Sequence, residues 1–384
     1  MSTDLYLPAL PDMQAAFDTD VATVQLTLSV FLIGFAFSQL VYGPLSDRFG
    51  RRPLLIAGVT LYTLASVGCA MATSVETLIA WRFVQAVGAC CGPVLGRAVV
   101  RDLFEREAAA RILSYMAMAM ALAPAIGPII GGFLTEQLGW PSTLWALVGF
   151  GSVILVFLVP LLPETNRHKD PSATRPARLI ANWKTCLSDT GFVTYSLVVA
   201  FSYCGIFTFI SGSSFVFMNG LGLSPTAFGM CFGAVVIGFM VGSFLSGRMT
   251  QRIGLDRMIW TGTIVQVLGG WALLVLAVSP LEGVSLQAAA IVVPIFVFMV
   301  GAGLTLPNAM AGAVSRFPQM AGLASSLLGF AQMGLAAIVG IAVGHSTDGT
   351  VLPMAIAFAG FSIAAFTLAS RIGSGSPAAP DAKE

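Results

Sequence analysis

Eleven apolar runs of about twenty residues divide this chain, and nothing else in it restricts the fold so sharply. They lie near 23–43, 54–73, 76–98, 112–134, 142–162, 190–218, 225–247, 258–279, 285–311, 322–344 and 351–370. Each is long enough to cross a bilayer as a helix, the one element that satisfies its own backbone in lipid without a partner strand. Of the 384 residues, 57% are hydrophobic and 10% are charged. Soluble domains carry about 25% charge, so the chain is expected to be an all-α polytopic membrane protein. Its 41 glycines suit helices that pack closely in lipid.

Lys and Arg then orient the spans. They fall in alternate connections, as Arg48, Arg51 and Arg52, Arg101, Arg106 and Arg111, Arg167 to Lys184, Arg248, Arg252 and Arg257, Arg316, and Arg371 with Lys383. The other connections hold acids alone, among them Asp12, Asp18, Asp20, Glu76, Glu136, Glu282 and Asp348. The positive-inside rule makes the basic face cytoplasmic. By that count the first run enters from the acidic side and leaves Met1 outside. Residues 1–22, with Pro8, Pro11 and four aspartates, are too short and polar to span and lack a signal peptide's basic start. The chain is therefore expected to begin near the outer end of a first helix lying mostly upstream. An eleven-span protein with an external N-terminus is the alternative.

Pro163 to Ser188 is the longest polar stretch and reads as a cytoplasmic linker between two bundles. The expected division is 1–162, a linker at 163–189, 190–371, and a cytoplasmic tail at 372–384. A faint repeat agrees. Gly43, Arg48 and Gly50 return 204 residues later as Gly247, Arg252 and Gly254, with Gln251 in place of Asp47.

The stretch GPLSDRFGRRP, Gly43 to Pro53, fills every position of G-x-L-x-D-R-x-G-R-R-x-x-L through Leu55. It resembles the loop between the second and third spans of the major facilitator superfamily. Three further stretches, STDLYLPALP from Ser2, FPQMAGLASS from Phe317 and Gly127-Pro128-Ile129-Ile130-Gly131-Gly132, narrow the resemblance to the bicyclomycin/chloramphenicol-resistance (Bcr/CflA) type of drug:proton antiporter. That resemblance implies a major facilitator fold of two pseudo-symmetric six-helix bundles, here with the first helix mostly missing, and a midplane site between them. It implies export of small amphiphilic drugs through the bacterial inner membrane by alternating access. A proton symporter importing a small nutrient is the rival reading.

Arg82 lies about six residues into its span, where a cation needs an interior partner. With Asp4, which the family pattern places as an embedded carboxylate, it is the expected proton-coupling pair. The loop Gly43, Asp47, Arg48, Gly50, Arg51 and Arg52 is expected to gate the inner face, with Asp47 at the positive end of a neighbouring helix. Arg101 and Asp102 read as a helix-end ion pair able to rearrange with it, and Arg97 as a residue that snorkels. Pro124, Gly127, Pro128, Gly131 and Gly132 form the antiport-motif helix, bent and glycine-faced. Gly88, Gly92 and Gly96 predict a packing groove, as do Gly238 with Gly242 and Gly340 with Gly344. Tyr6, Gln25, Ser29, Gln39, Tyr203, Phe207, Ser211, Ser214, Asn308 and Gln332 are the expected lining of a drug-sized cavity.

Other classes fit poorly. No G-K pair exists for a P-loop, no H-E-x-x-H or G-x-S-x-G for an intramembrane enzyme, and His168 and His345 sit in different connections. The six cysteines form no C-x-x-C and read as small core residues. The chain is thus read as a transporter and not an enzyme. No metal, cofactor or nucleic acid is expected, only a proton gradient, a bilayer, a small-molecule substrate and a monomeric state.

Overall fold

The computed structural model describes residues 2–166, 169–280, 282–346 and 350–372, and its described elements are helical. A 3-10 turn at Leu7–Ala9 leads into α1 (Leu10–Ala16). The N-terminal half continues with α2 (Val21–Phe49), α3 (Arg51–Ala70), α4 (Val75–Ala89), α5 (Cys91–Leu103), α6 (Arg106–Leu138) and α7 (Pro141–Leu161). The linker contains α8 (Pro176–Ser188). Beyond it follow α9 (Thr190–Ser214, prolonged as a π-helix to Gly220), α10 (Pro225–Ile253), α11 (Leu255–Ala277), α12 (Val284–Ser315), α13 (Ala321–Ser346) and α14 (Leu352–Ile372). Among the described residues ten spans, with α4 and α5 counted as one, are long and apolar enough to cross a membrane. The eleventh run is carried by α6, 33 residues long. The expected tail falls outside the described residues beyond Ile372.

Local chemistry sets the helix ends. Asp20 caps α2 by accepting from Thr23 N at 2.6 Å, and Asp189 does the same for α9 from Phe192 N at 2.6 Å. Between α2 and α3 the chain turns through Gly50 at φ 110°, and between α10 and α11 through Gly254 at φ 92°. Both conformations disfavour a side chain, which accounts for the two repeated glycines.

Packing repeats the pseudo-symmetry. A Cβ on Gly34 of α2 would lie 2.9 Å from the Phe83 carbonyl, and one on Gly238 of α10 would lie 2.6 Å from the Phe296 carbonyl. Gly88 is set against Tyr62 N and the Gly58 carbonyl, and Gly301 against Gln266 N and the Gly262 carbonyl. The same helix crossings therefore occur in both halves.

The groove expected along Gly88, Gly92 and Gly96 does not form as one stripe. Gly88 is tightly packed, whereas a Cβ on Gly92 would meet nothing within 4 Å and one on Gly96 only Met116 Cε at 3.3 Å. The span breaks at Cys90, because Pro93 has no N–H to offer the Ala89 carbonyl and the helix restarts as α5. α6 runs on through Pro124 and Pro128 as one helix.

The halves meet along two seams. In one, α13 lies on α2: Gly340 is set against Ser29 Oγ, Gly344 against Gln25 Oε1, and the Phe37 and Phe330 rings meet edge to face at 5.4 Å. In the other, α10 lies on α6, with Gly229 against the Pro128 carbonyl and Gly132 against Pro225. Thr226 Oγ1 closes the acidic end by donating to Glu136 Oε2 at 2.6 Å. On the basic face the halves part around a cavity of about 490 Å³.

Candidate functional site

The largest fully buried side chain is that of Arg82, which a bare apolar interior would not tolerate as a cation. The surroundings answer that cost. Its guanidinium lies between the rings of Tyr6 and Phe31, 4.5 and 4.4 Å from their centroids. Such cation–π contacts are worth on the order of 2 kcal/mol when desolvated. Nη1 donates to Gln85 Oε1 at 2.6 Å and to the Ser2 carbonyl at 3.0 Å, and Nε to the Thr27 carbonyl at 3.4 Å. Gln85 passes the chain on to Ser66 Oγ at 2.7 Å, and Ser66 donates to the Tyr62 carbonyl at 2.7 Å. Nη2 is buried with no acceptor among the described residues. By the glycine register Arg82 and Gln85 correspond to Ile295 and Phe298 of the other half, so among the described residues the buried guanidinium has no counterpart there.

Asp4 sits on the segment that precedes α1 and is 5% exposed. Its backbone and Cβ lie along the glycine face of α6: Gly127 is set against Asp4 and Gly131 against Leu5. Its charge is within electrostatic reach of Tyr203 on α9. Ser2, two residues away, bonds both Arg82 and Tyr62, the latter at 3.0 Å, so one short segment joins the Arg82 network to α6. Here Gly127 and Gly131 carry the N-terminal segment, while Gly132 carries the other half.

The Gly43–Pro53 turn forms a node on the basic face. Arg51 donates to Asp47 Oδ1 at 2.6 Å, to Asp102 Oδ2 at 3.1 Å, and to Ser46 Oγ. Glu164 accepts from the Arg51 backbone N at 2.9 Å, and Thr165 Oγ1 reaches Asp102 at 3.2 Å. Some burial opposes ionisation of Glu164, but N–H donors from Asn166, Arg51 and Arg52 hold its carboxyl below the usual range. Arg48 donates to Thr174 Oγ1 at 2.7 Å and Arg52 to the Val159 carbonyl at 3.0 Å. The Asp47 carbonyl accepts from Asp170 N at 3.0 Å. Thus α2, α3, α5, the end of α7 and the linker are tied together.

Arg101 and Asp102 are not an ion pair. Successive helix residues point about 100° apart. Asp102 turns to Arg51 and Thr165, and Arg101 Nε donates to the Arg97 carbonyl at 3.3 Å. Asp47, expected at the positive end of a neighbouring helix, pairs with Arg51 at the start of α3.

Of the residues expected to line a cavity, Gln39 borders the opening on the basic face. Gln25, Ser29, Phe207 and Ser211 are buried deeper, where the halves meet; Ser211 Oγ donates to Gln25 Oε1 across them at 3.0 Å. Gln25 Nε2 and Ser29 Oγ are buried without partners among the described residues, as is Ser214 Oγ. Tyr6 donates to Thr27 Oγ1 at 2.8 Å beside Arg82, Tyr203 is half-buried, and Gln332 is buried on α13. Asn308 lies elsewhere. Its amide bonds Ser246 Oγ at 2.7 Å and Thr250 Oγ1 at 2.9 Å, tying α12 to α10 within one half. Sequence reasoning missed Gln85, Ser66, Phe31 and the linker anchors Glu164 to Asn166. Gln85 was within reach of it, lying three residues from Arg82 on the same helix face.

The family model described as "Major Facilitator Superfamily" matches residues 1–341. A curated relative, the "Bicyclomycin resistance protein homolog" of Haemophilus influenzae, is 31% identical across 91% of this chain and 87% of its own. "Multidrug resistance protein D" of Escherichia coli is 30% identical across 86% and 81%. Among solved structures, a D-xylose-proton symporter superposes with a TM-score of 0.75 at 14% identity, covering 98% of this chain and 94% of that one, a likeness of fold. With its paired bundles, its basic-face node and a family match over most of its length, the chain belongs to the Major Facilitator Superfamily.

Proposed function

We propose that this chain exports small amphiphilic molecules from the bacterial cytoplasm in exchange for protons, by alternating access between its two halves. The basic face is cytoplasmic, the monomer is the transporting unit, and no cofactor beyond the proton gradient is involved. The observation that carries this reading is the guanidinium of Arg82, fully buried with one Nη donor unmet, joined through Ser2 to the segment bearing the buried Asp4. A buried cation bonded to the segment that carries a buried carboxylate can serve as a coupling device: protonation of the carboxylate removes one charge and changes which packing is favoured. The drug-resistance names of the relatives support export over nutrient uptake, and the apolar wall that α13 gives to the cavity suits an amphiphile more than a sugar.

In this conformation the cavity opens on the basic face and the acidic face is closed. Substrate enters between α5 and α13. Asp4 gives up its proton to the basic side as substrate binds, the α6–α10 seam parts, substrate leaves on the acidic side, and a proton taken up there by Asp4 returns the halves to the starting state. The Arg51 node holds α2, α3 and α5 as one body through the swing. Everted vesicles with an imposed pH gradient test this: amphiphile should accumulate inside, and collapse of the gradient should stop it. Accumulation unaffected by a protonophore would refute proton exchange.

A further inference from the structure

The basic-face cavity is walled by groups of very unequal charge. Four guanidiniums, of Arg51, Arg97, Arg101 and Arg178, border it against two carboxylates, of Asp47 and Asp170. Arg51 is matched by Asp47 and Asp102, and Arg178 by Asp170 at 2.8 Å. Arg97 and Arg101 are matched by no acid among the described residues. They stand one helical turn apart on α5, both exposed to the cavity. Each ties Nε to the carbonyl four residues back, Pro93 for Arg97 at 2.8 Å and Arg97 for Arg101 at 3.3 Å. That anchoring turns two guanidinium forks toward the open space with their Nη donors available. The facing wall from the C-terminal half is neutral, with Val314, Met320, Ala321 and Leu323 beside Ser325 and Ser326.

From this juxtaposition we infer that the vestibule selects amphiphiles with an anionic head, a carboxylate, sulfonate or phosphate, which Arg97 and Arg101 bind while the tail lies on α13. The inference rests on the exporter reading and adds the charge class of its substrate. Two guanidiniums at neighbouring turns suit the oxygens of one anion, and the planar fork is the donor geometry such heads use. A lipophilic cation entering the same space meets two uncompensated like charges, in a cleft where screening is weak. An anionic phospholipid headgroup has the same chemistry, so the test must separate transported solute from lipid.

Equilibrium binding of anilinonaphthalene sulfonate and of ethidium to the purified full chain, in nanodiscs of phosphatidylcholine with or without phosphatidylglycerol, supplies that separation. Wild type should bind the sulfonate roughly tenfold or more tightly than the cation, in either lipid. The Arg97→Gln, Arg101→Gln double variant should lose roughly that factor for the sulfonate, and Arg97→Glu should reverse the preference. A wild type that favours ethidium, or a double variant with unchanged sulfonate affinity, overturns the inference. So does a double variant that loses only its response to phosphatidylglycerol, which would make the pair a headgroup clamp. Since binding is read without a gradient, gradient-driven accumulation of a neutral amphiphile inside everted vesicles judges the exporter reading separately.

Discussion

Arg82 donates to Gln85 at 2.6 Å one turn along the same helix, and this bond is the first step from a buried charge into a polar chain ending at Tyr62. Removing the acceptor strands a charged donor where no water reaches it. Gln85→Leu should therefore lower stability by about 1–3 kcal/mol, the usual cost of such an orphan, and slow gradient-driven efflux. A thermal melt in detergent, paired with vesicle transport, checks both.

Arg82→Ala should insert normally and abolish proton-driven efflux. Arg82→Lys should not rescue it, because a compact ammonium cannot lie flat between Tyr6 and Phe31 while also reaching Gln85 and two carbonyls. Membrane abundance by immunoblot separates lost insertion from lost transport. Wild-type efflux in either variant removes Arg82 from the coupling step.

At the basic-face node, Asp102 is more enclosed than Asp47, 24% against 49% side-chain exposure, though both bond Arg51. Asp102→Asn should thus destabilise more than Asp47→Asn, and both should reduce efflux. A double-mutant cycle with Arg51→Gln should give the larger coupling for Asp102, on the order of 1 kcal/mol. Equal couplings would mean that solvent screens the two alike.

A Cβ on Gly229 would come within 2.5 Å of the Pro128 carbonyl, so Gly229→Leu must push α10 from α6. The population should shift toward the state open on the acidic face. Maleimide labelling of a cysteine placed at Ser211 should become faster from outside in that variant. No change in rate would mean that the seam is not the outer closure.

Asp189 pairs with Arg316 through Nε at 2.5 Å and Nη2 at 2.8 Å. The guanidinium holds the Asp189 carboxyl below its usual range, helped by the α9 N-terminal amides and opposed by slight burial. A lowered native pKa adds stability above the unfolded value, near 3.9, and that stability is lost as pH falls through the native value. Melting temperature should show this contribution intact at pH 5 and declining below pH 4, with Asp189→Asn flattening the decline.

The spans and the chirality-demanding glycines were legible because each depends on neighbours in the chain: about twenty apolar residues, or a turn that excludes Cβ. Partnerships were legible only where a helix turn connects them. Arg82 with Gln85 lies within that range, whereas Asp102 finds Arg51 from 51 residues away and Ser211 finds Gln25 from 186. Asn308 shows the same limit from the other side. A polar residue in an apolar span signals a bond to be made, and the pattern does not say whether a ligand or Ser246 will make it. Gly92 looked like its neighbour Gly88 until Pro93 broke the helix between them.

The α6–α10 seam sets hydrogen against carbonyl, with bare backbone on one side of most contacts. A closure of that kind freezes few rotamers and interlocks few teeth, so it behaves as a latch with a shallow well. One charge falling through a membrane potential of 100 mV releases about 2.3 kcal/mol, a modest push that a deeper-set hinge would ignore.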